Sequence, residues 1–178
     1  MKSTVSIWQF VGFGVSTFLG TLLHFAYNFF GKSKWIAPFA AVNESTWEHM
    51  KLLFFPMLLF AIIEYFFIGK DFFTFWCVKA WGMLLGIWLI PLLFYTLGGI
   101  FGTLPALVNI GIFFVSAGIA YLYETKALQQ STSCMLSEPQ ALLLLGVVAM
   151  AFVLFTFFAP HIPLFRDPLT QTYGIVVK

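Results

Sequence analysis

The sequence predicts an all-α fold, a polytopic integral membrane helix bundle of about five transmembrane helices with a short interfacial or re-entrant element. Composition is the first reason: 61% of the 178 residues are hydrophobic and 9% are charged, against roughly 25% charged in ordinary soluble domains. The second is the aromatic load, with phenylalanine alone at 24 positions. The third is segmentation, because the apolar residues collect into runs close to the roughly 20 residues that cross a bilayer. A water-soluble globule of this size has too little interior to hide them. A soluble enzyme and a disordered chain are excluded on the same ground. The net charge of +2, with no long basic cluster, excludes nucleic acid as a partner. The lipid bilayer is the expected environment.

The runs are 7–30, 47–68, 72–97, 105–123 and 141–158. Each must be helical, since backbone amides in hydrocarbon have to pair within their own segment. The first run is too long for the apolar part of a signal peptide and leads to no small-residue cleavage site, so it is expected to be retained. Gly12, Ser16 and Gly20 recur at every fourth position, and Gly82 and Gly86 repeat that spacing in the third run. Small residues so placed let helix backbones approach closely, within one chain, between copies, or against a partner membrane subunit. Pro56 and Pro91 should kink their spans, each freeing a carbonyl one turn earlier.

The connections are short. Gly69, Lys70 and Asp71 form one hairpin, and Gly98, Gly99, Gly102 and Thr103 mark another. The stretch 124–140 reads as a solvated polar loop. The segment 35–42 is apolar but too short to span, so it should lie in the interface or dip in and return. Nothing marks a second domain in 1–178, and 159–178 is a tail kept extended by Pro160, Pro163 and Pro168. Cys77 lies in an apolar run and Cys134 in a polar connection, without metal-ligand spacing, so they are expected to stay unpaired.

An odd number of crossings puts the termini on opposite sides. Lys32, Lys34, Lys51, Arg166 and Lys178 then share the face of the C-terminal tail, against Lys2, Lys70 and Lys126 on the other. The excess of basic residues points to a cytoplasmic tail.

Ionisable residues inside spans are costly and mark function or pairing. Glu64 and Lys79 flank the tight hairpin at similar depth, so an intramembrane ion pair is expected between them. Thr17, Thr21, His24 and Asn28 form one polar stripe on the first helix and need a helix or a wet cavity to face. The densest polar cluster, Asn43 to Lys51, opens the second span. Ser45 and Glu48 there have the spacing of a capping box. A neutral imidazole at His49 suits metal binding or accepting a proton.

With five crossings, His24, His49 and His161 share one membrane face with Glu44, Glu48 and Asp167. The candidate ligand-binding set is therefore His24, Asn28, Asn43, Glu44, His49, His161 and Asp167. Three nitrogen or oxygen ligands with one open position are the usual set for a catalytic zinc, so His24, His49 and His161 are candidate ligands of zinc or another divalent cation. Glu44 or Glu48 would then be the base that activates bound water. No H-E-x-x-H motif is present, and Glu48 and His49 point to different helix faces.

The stretches Val42-Asn43-Glu44-Ser45-Thr46-Trp47-Glu48-His49-Met50-Lys51-Leu52-Leu53-Phe54-Phe55-Pro56 and Pro160-His161-Ile162-Pro163-Leu164-Phe165-Arg166-Asp167-Pro168 carry a family resemblance. The chain resembles a group of uncharacterised small multi-pass membrane proteins, mostly from Gram-positive bacteria. That resemblance implies a bacterial plasma-membrane location and brings no assigned reaction or ligand. In size and helix count the chain is also similar to the substrate-binding membrane subunits of energy-coupling-factor vitamin transporters, which usually have six helices. Its three histidines with Ser and Asp are similar to zinc-dependent transmembrane hydrolases that include alkaline ceramidases. Those have seven spans and a paired-histidine spacing that this chain lacks. The expectation is a binding or transport-related protein with a polar pocket near one face. A metal-dependent intramembrane hydrolase and a structural or accessory subunit are the alternatives.

Overall fold

The computed structural model describes residues 2–130 and 132–175. Five helices account for most of it: α1 (Lys2–Phe29), α2 (Thr46–Phe67), α3 (Phe75–Phe101), α4 (Ala106–Gln130) and α5 (Glu138–Phe157). All five are long and apolar enough to cross a membrane. Phe10, Ile100 and Leu143 point outward with 77%, 67% and 69% of their surface exposed, a cost in water that vanishes against lipid. Ser131 of the polar loop and Lys178, counted with the basic residues of the tail face, lie outside the described residues.

Helix α2 is the most enclosed of the five, packed against α1, α3 and α5. Its all-round hydrophobicity is what a central helix requires. The two small-residue stripes are used within the chain. A Cβ on Gly20 would stand 2.7 Å from the Leu52 carbonyl oxygen of α2, one on Gly12 would strike the Phe60 and Tyr121 rings, and Gly86 lies against Ala120 of α4. The Leu52 contact follows from Pro56, which has no N–H to offer the carbonyl four residues earlier. Both prolines sit inside continuous helices.

Four expectations change. First, α4 runs on to Gln130 and Glu124 is fully buried inside it, so the polar connection is shorter than 124–140. The polarity of Thr125, Lys126 and the glutamines that follow predicts a loop, yet they continue a helix whose inner face is Ala127 and Leu128. Second, Cys77 and Cys134 form a disulfide, with Cα atoms 6.2 Å apart. The chain folds the last connection back over the start of α3, where the Glu138 carboxylate accepts from the Trp76 and Cys77 amides at 3.1 and 3.2 Å. Third, the capping box at α2 is not made. Ser45 is the N-cap without a side-chain bond; its amide donates to Asn43 Oδ1 at 2.9 Å, and Glu48 turns away to accept from the Val42 amide at 3.0 Å. Fourth, Asn28 lies exposed on α1, apart from the enclosed part of its stripe.

The segment 33–40 is a run of turns whose Ala37 and Ala40 are buried beside Tyr27, while Trp35 points outward. Lys51 holds it from below. Its Nζ is fully buried and donates to the Ala37 carbonyl and to Thr156 Oγ1 of α5, both at 2.9 Å, while pairing with Glu48. A buried ammonium so surrounded has all three protons placed. The C-terminal tail is fastened by Asn43, whose Nδ2 donates to the Gly174 carbonyl at 3.0 Å.

Candidate functional site

The ends of α1 and α3 and the starts of α2 and α4 converge on one face, together with the tail. A cavity of about 510 Å³ lies among them. Leu52, Ile90, Phe94 and Phe113 make its walls predominantly apolar, and Pro168 and Leu169 of the tail form part of its rim.

One corner is polar. His24 comes from the last turns of α1, Glu44 from the connection before α2, and His49 from the first turn of α2. His24 Nε2 is 3.6 Å and His49 Nε2 3.7 Å from the same Glu44 oxygen, Oε2. The two imidazoles meet nearly edge to face, 5.4 Å between centroids. His24 also stacks on Phe25. His49 Nδ1 is 2.9 Å from the Ser45 carbonyl oxygen. A carbonyl can only accept, so Nδ1 carries a proton and Nε2 is left facing Glu44. Asn109 also lines the cavity, and its Oδ1 is buried without a hydrogen-bond partner. The Glu44 carboxylate and Asn109 Oδ1 are acceptors, and Nε2 of a neutral His49 is a third.

The structure therefore gathers His24, Glu44 and His49 from the predicted set, with one ligand atom from each mutually within 4.8 Å. It does not bring in His161, which is exposed and packs on the Tyr173 ring at 4.6 Å. Asn43 is engaged in the tail and the start of α2. Asp167 is buried under the rim, its Oδ1 accepting from the Leu169 amide at 2.8 Å, so it shapes the turn that carries Pro168 and Leu169. Glu48 is held by Lys51 and the Val42 amide. Sequence reasoning missed Asn109, although a lone amide in the apolar stretch Ala106-Leu107-Val108-Asn109-Ile110 was a usable signal.

The opposite end of the bundle holds a second polar centre, entirely enclosed. Lys79 pairs with Glu64 at 2.5 Å, as the hairpin geometry required, and with Glu124 at 2.6 Å. Gln9 bridges them, donating from Nε2 to Glu64 Oε1 at 2.6 Å and accepting from Lys79 at 3.3 Å. Glu124 rests directly on Gly82, where no Cβ would fit. This centre joins four helices.

Five apolar helices around buried ion pairs, with a largely apolar cavity near one face, define a multi-pass membrane protein. The chain belongs to a family of unknown function (DUF6512), whose model matches residues 1–175. No curated protein and no solved structure shows significant similarity to it.

Proposed function

We propose that this is a binding or transport-related membrane protein that holds a small ligand in the cavity, its polar end against His24, Glu44 and His49. The observation that carries this reading is the cavity itself: about 510 Å³, apolar in its walls, with its ionisable groups gathered in one corner. Ligand sites commonly have this size and this division of labour. The acceptors at the polar corner select a hydrogen-bond donor or a cation, so the metal-free site favours an amphiphile with an amine head. Hydrolysis is less well supported. Glu48 is committed to Lys51, and His161 stands apart, so the expected three-histidine zinc with an adjacent base is not assembled.

The reading places the cavity at the cytoplasmic face of a bacterial plasma membrane. Two observations support that orientation: the basic residues favour the cavity face, and the Cys77–Cys134 bridge sits at the other end, as a bond of oxidising compartments would.

The test is thermal unfolding of the chelator-treated protein in lipid nanodiscs, titrated with n-decylamine, n-decanol and n-decanoate. Saturable stabilisation strongest for decylamine, and lost in Ile110→Trp at the cavity wall, is expected. A flat response to all three, or an unchanged response in Ile110→Trp, would contradict the reading.

A further inference from the structure

We infer that His24, Glu44 and His49 form a divalent transition-metal site of the zinc class, with its remaining coordination position open to the cavity. The site differs from the three-histidine arrangement expected from sequence, since Glu44 stands where His161 was expected. It deepens the cavity reading by naming what meets the ligand's polar end, and it rests on that reading only for what fills the open position.

The geometry is close to what such an ion needs. Zinc–nitrogen and zinc–oxygen bonds of about 2.0–2.1 Å in a tetrahedron put neighbouring ligand atoms about 3.3–3.4 Å apart. The two imidazole nitrogens lie 3.6 and 3.7 Å from Glu44 Oε2, and one ligand atom from each of the three residues lies within 4.8 Å of the others, so side-chain rotation without backbone movement brings them to coordination distance. These separations are too long for good direct hydrogen bonds. Two imidazoles and a carboxylate thus approach one another without bonding directly.

His49 is already set as a ligand. Its Nδ1–H bond to the Ser45 carbonyl fixes the tautomer and aims Nε2 inward, the supporting bond that metal-bound histidines typically make. Ser45 is the N-cap of α2, and its amide is held in turn by Asn43. The donor set of two nitrogens and one carboxylate oxygen suits zinc or a neighbouring first-row ion better than calcium or magnesium, which prefer all-oxygen shells. With the ion present, the polar corner turns from a set of acceptors into a Lewis acid. The preferred head group changes from amine to carboxylate or another anion.

The test loads the full-length, detergent-purified protein with zinc chloride, removes free metal by desalting and measures zinc per chain by elemental analysis. Wild type and His161→Ala are expected to retain one zinc per chain. His24→Ala and Glu44→Gln are expected to fall to background while eluting as monodisperse protein. Cobalt(II) loading gives a second readout, a tetrahedral visible band that both variants lose. Absence of bound zinc in wild type, its persistence in either His24→Ala or Glu44→Gln, or its loss in His161→Ala overturns the assignment. Zinc loading should also make decanoate the better stabiliser than decylamine. Zinc content is read without any organic ligand. A protein that binds zinc but no amphiphile would therefore overturn the cavity reading and spare the metal site, and the reverse result would do the opposite.

Discussion

Lys79 Nζ stands 2.6 Å from Glu124 Oε2, tying α3 to α4 at a depth where neither side chain is exposed. Because Lys79 also meets Glu64, one ammonium is shared by carboxylates from two helices. Replacing it by methionine leaves both carboxylates buried without a counter-charge. Lys79→Met should lose on the order of 3–5 kcal/mol, the cost of breaking a buried pair from one side. Unfolding in mixed micelles measures it, and a variant as stable as wild type would show that the centre is not structural.

Glu44 and Glu48 lie four residues apart and should behave oppositely. Glu48 is buried and is the partner of a fully enclosed lysine, so Glu48→Ala should lower stability by about 3–5 kcal/mol. Glu44 is half-exposed and makes no close structural bond, so Glu44→Gln should stay within about 0.5 kcal/mol of wild type. The same unfolding assay compares them, and equal losses would remove the functional distinction drawn between the two.

Helix contact at the small-residue stripe can be read one residue at a time. A Cβ on Gly20 meets the backbone oxygen of Leu52 and the Phe113 ring, whereas one on Gly14 meets nothing within 4 Å. Gly20→Ala should therefore destabilise by about 1–3 kcal/mol through overpacking, while Gly14→Ala leaves stability unchanged or slightly raised. Similar behaviour at both positions would contradict the packing of α1 on α2.

The bridge between Cys77 and Cys134 spans a sequence separation of 57. Constraining a loop of that size contributes about 2–4 kcal/mol, so Cys134→Ser should lower stability by that amount. In intact cells, neither cysteine should react with a membrane-impermeant maleimide until an impermeant reductant is added from outside. Labelling without reduction would deny the bridge, and a requirement for cell lysis would reverse the proposed orientation.

Much of the fold could be read from residues, because the bilayer imposes a simple length and polarity rule. The Glu64–Lys79 pair followed from one tight hairpin. Its extension to Gln9 and Glu124 did not, since that needs α1 and α4 placed around α2, a tertiary fact. Glu124 was misassigned because a polar sequence at a span end looks the same whether it leaves the helix or continues it with one face inward. The histidines divided for a related reason. His24 and His49 are on helices whose ends must meet, so sharing a face brings them together. His161 sits on an irregular tail, where sharing a face says nothing about direction. The disulfide was missed because two distant cysteines carry no spacing signal.

Occupancy of the cavity by an amphiphile is open to direct photolabelling. A diazirine-bearing decylamine would be irradiated with the chelator-treated protein in proteoliposomes and its adducts mapped by mass spectrometry. Adducts are expected to concentrate on Leu52, Ile90 and Phe113, which are buried from lipid yet line the cavity. Adducts confined to outward residues such as Phe10, Ile100 and Leu143 would contradict it.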